Sequence, residues 1–181
     1  MRIIAGAWRG RPLAVPAGEA TRPTADRTRE ALFSMLASRI GSFEGLRVAD
    51  LFAGTGALGL EALSRGAATC TFVEQDRAAI AALKRNVASL DAEAATEIIP
   101  ASVSALGPAR TACDLLLFDP PYGSGGAGAL IERLTRLGWA APGAWASVET
   151  ARDESVAVGG WTTDVERIHG KAKLTLLRHG D

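Results

Sequence analysis

A chain of 181 residues, 48% apolar and 22% charged, has the size and composition of one globular domain, which excludes a disordered chain and one that depends on disulfide or metal staples. No run approaches the ~18 apolar residues of a membrane span, and the opening MRIIAGAWRGRPL lacks a signal peptide's apolar stretch; the expected setting is the cytoplasm, without a membrane partner. Net charge is zero but uneven, since residues 1–41 hold seven arginines against Glu19, Asp26 and Glu30 and the remainder is net negative.

The first 46 residues differ in kind from the rest. RIIAGAWRGRPLAV reads as two short strands around a Gly/Arg turn, and TRPTADRTREALFSMLASRI as a helix capped by Thr24 with Leu32, Met35, Leu36 and Ile40 on one face. A domain beginning at Arg47 is expected to follow. Its strand candidates are 47–52, 68–74, 96–100, 113–119 and 143–150; its helix candidates are 56–65, 76–90 and 127–137, with a short turn near 102–106. Strands alternating with helices imply a mostly parallel sheet covered on both faces, an α/β fold. TTDVERIHG and KLTLLRHG then follow one another with no helix between, which predicts a terminal antiparallel hairpin. Cys70 and Cys113 sit inside apolar runs with no C-x-x-C or Cys/His cluster, so they read as buried thiols and no metal site is expected.

Residues 50–61, DLFAGTGALGLE, end a strand, turn on Gly54, Gly56 and Gly59, and open a helix. Glycines there let a ligand approach the backbone near the positive end of the helix. Glu74, 20 residues after Gly54, is placed to accept hydrogen bonds from ribose hydroxyls. The spacing also fits a nicotinamide dinucleotide site, but a carboxylate at Asp50 beside the ligand would repel a pyrophosphate and suit a ligand carrying an ammonium and a sulfonium. Asp-x-Phe-x-Gly-x-Gly over 50–56 resembles motif I of the class I methyltransferases, which implies S-adenosylmethionine and places Asp50, Phe52, Gly54 and Gly56 beside Glu74 on the cofactor side. Asp76 reads as the cap of the next helix. Ser102, after the third strand, is the best match for a polar contact to adenine.

The fourth strand ends in Asp119-Pro120-Pro121-Tyr122. An exocyclic amine on a nucleobase is a poor nucleophile because its lone pair is delocalised. A carboxylate and a proline carbonyl accepting its protons would orient the nitrogen and disperse the charge that develops. Tyr122 then offers a ring for a flipped base to stack on. Alone, the tetrad equally suits a stiffened turn; after a methyltransferase-like loop it reads as catalytic, with Asp119 on the cofactor side as well. It does not choose among adenine N6, guanine N2 and cytosine N4.

MRIIAGAWRGRPL, then TRPTADRTREALF, LFAGTGALGLEALSRGA, FVEQDR and DPPY together resemble the 16S ribosomal RNA guanine-N2 methyltransferases of the RsmD family. The resemblance covers essentially the whole chain and weakens around 150–170. It implies a Rossmann-like class I fold with a seven-stranded sheet, S-adenosylmethionine as donor, and a guanine of 16S rRNA in a small-subunit particle as acceptor, handled by a monomer. Asp119, Pro120 and Tyr122 are then the catalytic set, and Arg2, Trp8, Arg9, Arg11, Arg22 and Arg27 the RNA contacts. The competing readings are a DNA adenine-N6 methyltransferase, for which little room is left for target recognition, a dinucleotide oxidoreductase, and a non-catalytic RNA-binding protein. His169 and His179 read as surface strand residues. Gly123–Gly128 reads as a flexible helix entry or a loop over the base.

Overall fold

A computed structural model describes residues 1–19, 23–123 and 126–181. Seven strands form one sheet in the order β3-β2-β1-β4-β5-β7-β6: β1 (Arg47–Leu51), β2 (Thr69–Glu74), β3 (Thr96–Pro100), β4 (Cys113–Phe118), β5 (Ala140–Ala151), β6 (Trp161–His169) and β7 (Ala172–His179). The first five are parallel and β7 runs antiparallel to both β5 and β6. The terminal hairpin expected from the sequence is therefore present. It inserts so that β7, not β6, meets the sheet.

Alternation along the strands sorts the core into two layers. Val48, Cys70, Phe72, Leu115 and Leu117 face one side, where α1 (Pro23–Ile40), α2 (Ala57–Ser64) and α3 (Arg77–Ser89) pack. Leu51, Val73, Leu116 and Phe118 face the other, against α4 (Ala127–Arg136), Trp139 and Trp161. In α3 the buried stripe is Ala79, Ala82, Leu83, Asn86 and Val87, while Ile80 is only half-buried. α1 begins at Pro23, so Thr24 lies within its first turn and not ahead of it; a proline suits that first position, where its missing N–H is no loss. Both cysteines are buried, and burial pushes both thiols up, Cys113 to about 11. Among the described residues no helix is long and apolar enough to cross a membrane.

The N-terminal segment differs from the two-strand expectation. Only one isolated bridge joins Arg2 to Pro12, with Ile3 and Arg11 and Met1 and Leu13 linked through their backbones. The remaining donors go elsewhere. Ile4 and Ala5 give their N–H groups to the two carboxylate oxygens of Glu61 at 2.9 and 3.0 Å, and Trp8 donates to Ser64 Oγ at 3.0 Å. A backbone whose polar groups are satisfied by α2 does not need a partner strand. Gly6 lets this happen: a Cβ there would stand 1.9 Å from the Ser64 carbonyl oxygen. Ile3 and Leu13 join the core that holds Leu32, Phe33 and Leu60.

The helix after the glycine turn packs as closely. A Cβ on Gly59 would lie 2.4 Å from the Phe72 ring and 2.6 Å from Cys70 Sγ. Gly59→Ala is therefore expected to lower stability by about 1–3 kcal/mol, the usual cost of overpacking, read as a shift in a thermal melt; an unchanged melt would mean that α2 moves off β2 at no cost.

Candidate active site

In a parallel sheet, ligands collect at the carboxyl ends of strands where the strand order reverses. Here that point lies between β1 and β4, whose last residues Leu51 and Phe118 are ladder partners. The glycine loop leaves one and the Asp-Pro-Pro-Tyr tetrad leaves the other, so the two motifs emerge side by side.

The loop is held from below and from the side. Phe52 turns the chain in the left-handed region with φ 64°, a costly conformation for a bulky residue and one met at functional turns. Gly54 gives its N–H to Glu74 Oε1 at 2.8 Å, and Glu74 Oε2 takes the N–H groups of Gln75 and Asp76 at 2.9 and 2.8 Å. Glu74 thus ties the loop to the end of β2. Asp76 caps α3 through Ala79 N–H, as expected. Phe52, Gly54, Thr55, Glu74, Asp76 and Asp119 line a cleft of about 420 Å3. A Cβ on Gly54 would point into open space, the room a bound molecule needs to reach the backbone.

Three expected cofactor residues stand off the cleft wall. Asp50 is 1% exposed, beneath the loop rather than beside a ligand. Its Oδ2 accepts the Gly59 N–H at 2.8 Å, and Oδ1 has no hydrogen-bond partner among the described residues. Burial pushes this carboxyl well above the usual range, against the opposing pull of the Gly59 N–H. Asp50 positions the loop and the start of α2; it does not stand where its charge would choose between a pyrophosphate and a sulfonium. Ser102 lies off the cleft wall with its Oγ 2.8 Å from Ser104 Oγ. Gly56 is buried below the cleft, where a Cβ would meet Leu83 at 2.3 Å.

Asp119 also lines a second cleft, of about 540 Å3, with Tyr122, Glu149, Arg29, His169 and Lys171 on its walls. Pro120 is buried and Tyr122 is 53% exposed, its hydroxyl donating to Glu149 Oε2 at 2.8 Å. Desolvation at the end of β4 and the neighbouring Glu149 carboxylate push Asp119 up to about 8. His169 is a wall residue here, not a plain surface residue. His179 is half-buried, stacked on Trp161 with Nδ1 3.0 Å from the Ala141 carbonyl. Glu149 and Arg29 were not singled out from sequence. A lone acid in the apolar strand AWASVET was the available signal for the first.

Of the expected RNA contacts, Arg2, Arg9, Arg11 and Arg27 are exposed. Arg2 donates to the Gly10 carbonyl at 2.8 Å and Arg11 to the Ser89 carbonyl at the end of α3. Trp8 is half-buried against the core. Arg22 lies outside the described residues, as do Ser124 and Gly125 of the glycine-rich stretch, which leads at Gly126 into α4. A larger hollow of about 760 Å3, lined by Arg47, Thr69, Glu97, Arg110 and Trp139, opens at the other ends of β1 and β2 and includes neither the loop nor the tetrad.

A family described as conserved hypothetical protein 95 matches residues 1–178. Ribosomal RNA small subunit methyltransferase D of Escherichia coli (strain K12) is 39% identical over 180 residues, covering 98% of this chain and 89% of the relative. The chain belongs to the ribosomal RNA small subunit methyltransferase D family. The methyltransferase D of Haemophilus influenzae is likewise 39% identical over 184 residues, covering 99% of this chain and 94% of its own. The solved structure of yhhF from Escherichia coli superposes with a TM-score of 0.87 at 35% identity, over 100% of this chain and 98% of that one. At 14% identity and a TM-score of 0.70, the magnesium protoporphyrin IX methyltransferase of Synechocystis PCC 6803, solved with bound SAM, shares the fold, over 90% of this chain and 87% of that one. The class I methyltransferase fold expected from the motifs is the fold of this methyltransferase D member, and both motifs lie at its switch point.

Proposed function

We propose that this protein transfers a methyl group from S-adenosylmethionine to the exocyclic N2 of a guanine in 16S ribosomal RNA of the small subunit. The observation that carries the reading is that Asp119 lines both clefts, so an amine held by it from one side faces whatever occupies the other. The glycine-loop cleft fits the donor: open space at Gly54 admits a ligand to the backbone, and the Glu74 carboxylate stands on the wall to accept ribose hydroxyls. When bound, S-adenosylmethionine supplies a methyl carbon made electrophilic by its sulfonium.

The chain's own residues supply position and charge. Asp119 and the Pro120 carbonyl accept the two amine protons, direct the nitrogen lone pair across the boundary, and stabilise the charge that grows on nitrogen. No base is needed before transfer, because the amine proton becomes acidic only afterwards. The Tyr122 ring stacks on the base, worth ~1–3 kcal/mol, with its hydroxyl held by Glu149. Arg2, Arg9, Arg11 and Arg27 meet phosphates, and Trp8, half-buried against the core, adds to the same contact.

The test is incubation with labelled donor and, in turn, 16S rRNA, small-subunit particles and duplex DNA, followed by identification of the methylated nucleoside. N2-methylguanosine from rRNA or particles is expected. N6-methyladenine from DNA, or no transfer, would overturn the reading. Glu74→Ala should weaken donor binding by about 1.5–3 kcal/mol, the scale of charge-assisted hydrogen bonds, measured by calorimetry; unchanged affinity would remove Glu74 from the ribose.

A further inference from the structure

Register places a second carboxylate beside the tetrad. Phe118 of β4 pairs with Val148 of β5 in the last rung between them, so Asp119 leaves β4 beside Glu149, which stays in β5 opposite Leu174 of β7. Both line the acceptor cleft, and the Tyr122 hydroxyl at 2.8 Å from Glu149 Oε2 fixes how that carboxylate is turned. Two adjacent acids repel each other unless a proton or hydrogen-bond donors stand before them. A partner suited to the pair therefore presents two neighbouring N–H groups.

The three bases that carry an exocyclic amine differ in this respect. Beside the amine, adenine carries a ring nitrogen with a lone pair, and so does cytosine. Guanine alone has a ring N–H, at N1, next to its amine. Resting on the guanine-N2 reading above and deepening it, we propose that Glu149 is the base-selecting residue of this site, accepting the guanine N1–H while Asp119 accepts the amine.

Adenine or cytosine in the same pose would set a lone pair against the Glu149 carboxylate. A carboxylate set against a lone pair in place of an N–H discriminates far more strongly than a change of shape. This supplies the choice that the tetrad lacks. Arg29, His169 and Lys171 share the cleft, but Arg29 is engaged by Glu61 and Asp26, which leaves the two acids to set the preference for an N–H edge.

The experiment uses small-subunit particles rebuilt with 16S rRNA carrying either guanine or 2-aminopurine at the methylated position. 2-Aminopurine keeps the amine but has an unprotonated N1. The full-length enzyme is expected to methylate guanine at least about 100-fold faster, well within the range seen when a site built for an N–H meets an analogue without one. Glu149→Gln, nearly the same shape, has an amide that accepts from guanine N1–H or donates to 2-aminopurine N1, so the ratio should fall at least about tenfold. Wild-type rates equal within about threefold for the two bases would overturn the proposal, as would a Glu149→Gln enzyme that keeps the wild-type ratio. A melting curve checks that the variant folds; if it does not, the wild-type ratio decides alone. If the wild-type enzyme methylates no guanine N2 at all, the underlying reading fails first, and that outcome is distinct from a lost preference.

Discussion

Asp119→Ala is expected to slow methyl transfer by about 10²–10³-fold, roughly 2.7–4 kcal/mol of barrier, as for other preorganised groups aimed at developing charge, while donor binding stays within a few-fold. Its side chain touches both clefts but carries none of the hydrogen bonds that shape the glycine loop; those belong to Glu74 and Asp50. The wild-type pH profile follows from the same residue. Asp119 rises from the ordinary 3.8 to about 8, first through desolvation and then through Glu149, with Tyr122, Arg29, His169 and Lys171 as the other titratable side chains that line the cleft. Accepting an amine proton requires the ionised form, so kcat/KM should climb with pH and level off above about 8, as a property of the pair. Stability runs the other way. A carboxyl whose folded pKa is raised contributes most below its unfolded value and loses that contribution as pH rises through the folded one. The wild-type melt should therefore weaken between about pH 4 and 8 on this account, and Asp119→Ala should flatten that slope. Near wild-type turnover by the variant, or a flat kcat/KM profile, would remove Asp119 from the chemistry.

What the sequence disclosed and what it concealed divide along a physical line. The glycine loop and the tetrad are local: strand end, tight turn and helix start lie within a dozen residues, and their meeting follows from the switch point of a parallel sheet. Glu149 was hidden because its neighbour is set by the register between β4 and β5, which no local pattern contains. Asp50 was visible but misplaced. Alternation puts Asp50 on the same sheet face as Glu74, which lines the cleft, so only the fold of the loop above it shows that Asp50 is buried beneath. The periodicity of α3 gave Leu83 and Val87 correctly and Ile80 less so, because Asn86 occupies part of the buried stripe for a hydrogen-bonding reason. Its amide exchanges bonds with Ala14 N and O and also donates to the Thr55 carbonyl.

That amide ties α3 to the basic N-terminal segment, and deleting residues 1–18 is expected to destabilise the protein severely. Ile3 and Leu13 are 2% and 6% exposed in the main core. Glu61 is 0% exposed, with Ile4 N, Ala5 N and Arg65 Nε within 2.9–3.0 Å of its oxygens and Arg29 Nε at 3.6 Å. Arg29 in turn donates to the Arg2 carbonyl. Deletion strips two donors from a buried carboxylate and the acceptor from a buried guanidinium. Glu61 keeps Arg65 and Arg29, so the deletion costs the two charge-assisted hydrogen bonds and the burial of Ile3 and Leu13. Removing one partner of a buried ion pair outright costs ~3–5 kcal/mol, a large part of the ~5–15 kcal/mol that holds a domain together. Glu61→Ala isolates the effect without shortening the chain and should lower Tm by roughly 6–20 °C, at about 2–4 °C per kcal/mol for this size. Arg9→Ala with Arg11→Ala makes the contrast, since those side chains are exposed. That pair loses only the exposed bond from Arg11 to the Ser89 carbonyl, so the melt should register a loss of no more than about 1 kcal/mol, while RNA binding weakens and its log–log salt slope drops by about 0.7–0.9 for each phosphate no longer neutralised. The backbone of the segment would then serve the core while its arginine heads serve the RNA. A chain lacking residues 1–18 that melts like the intact protein would refute the first role, and an unchanged salt slope in the double variant would refute the second.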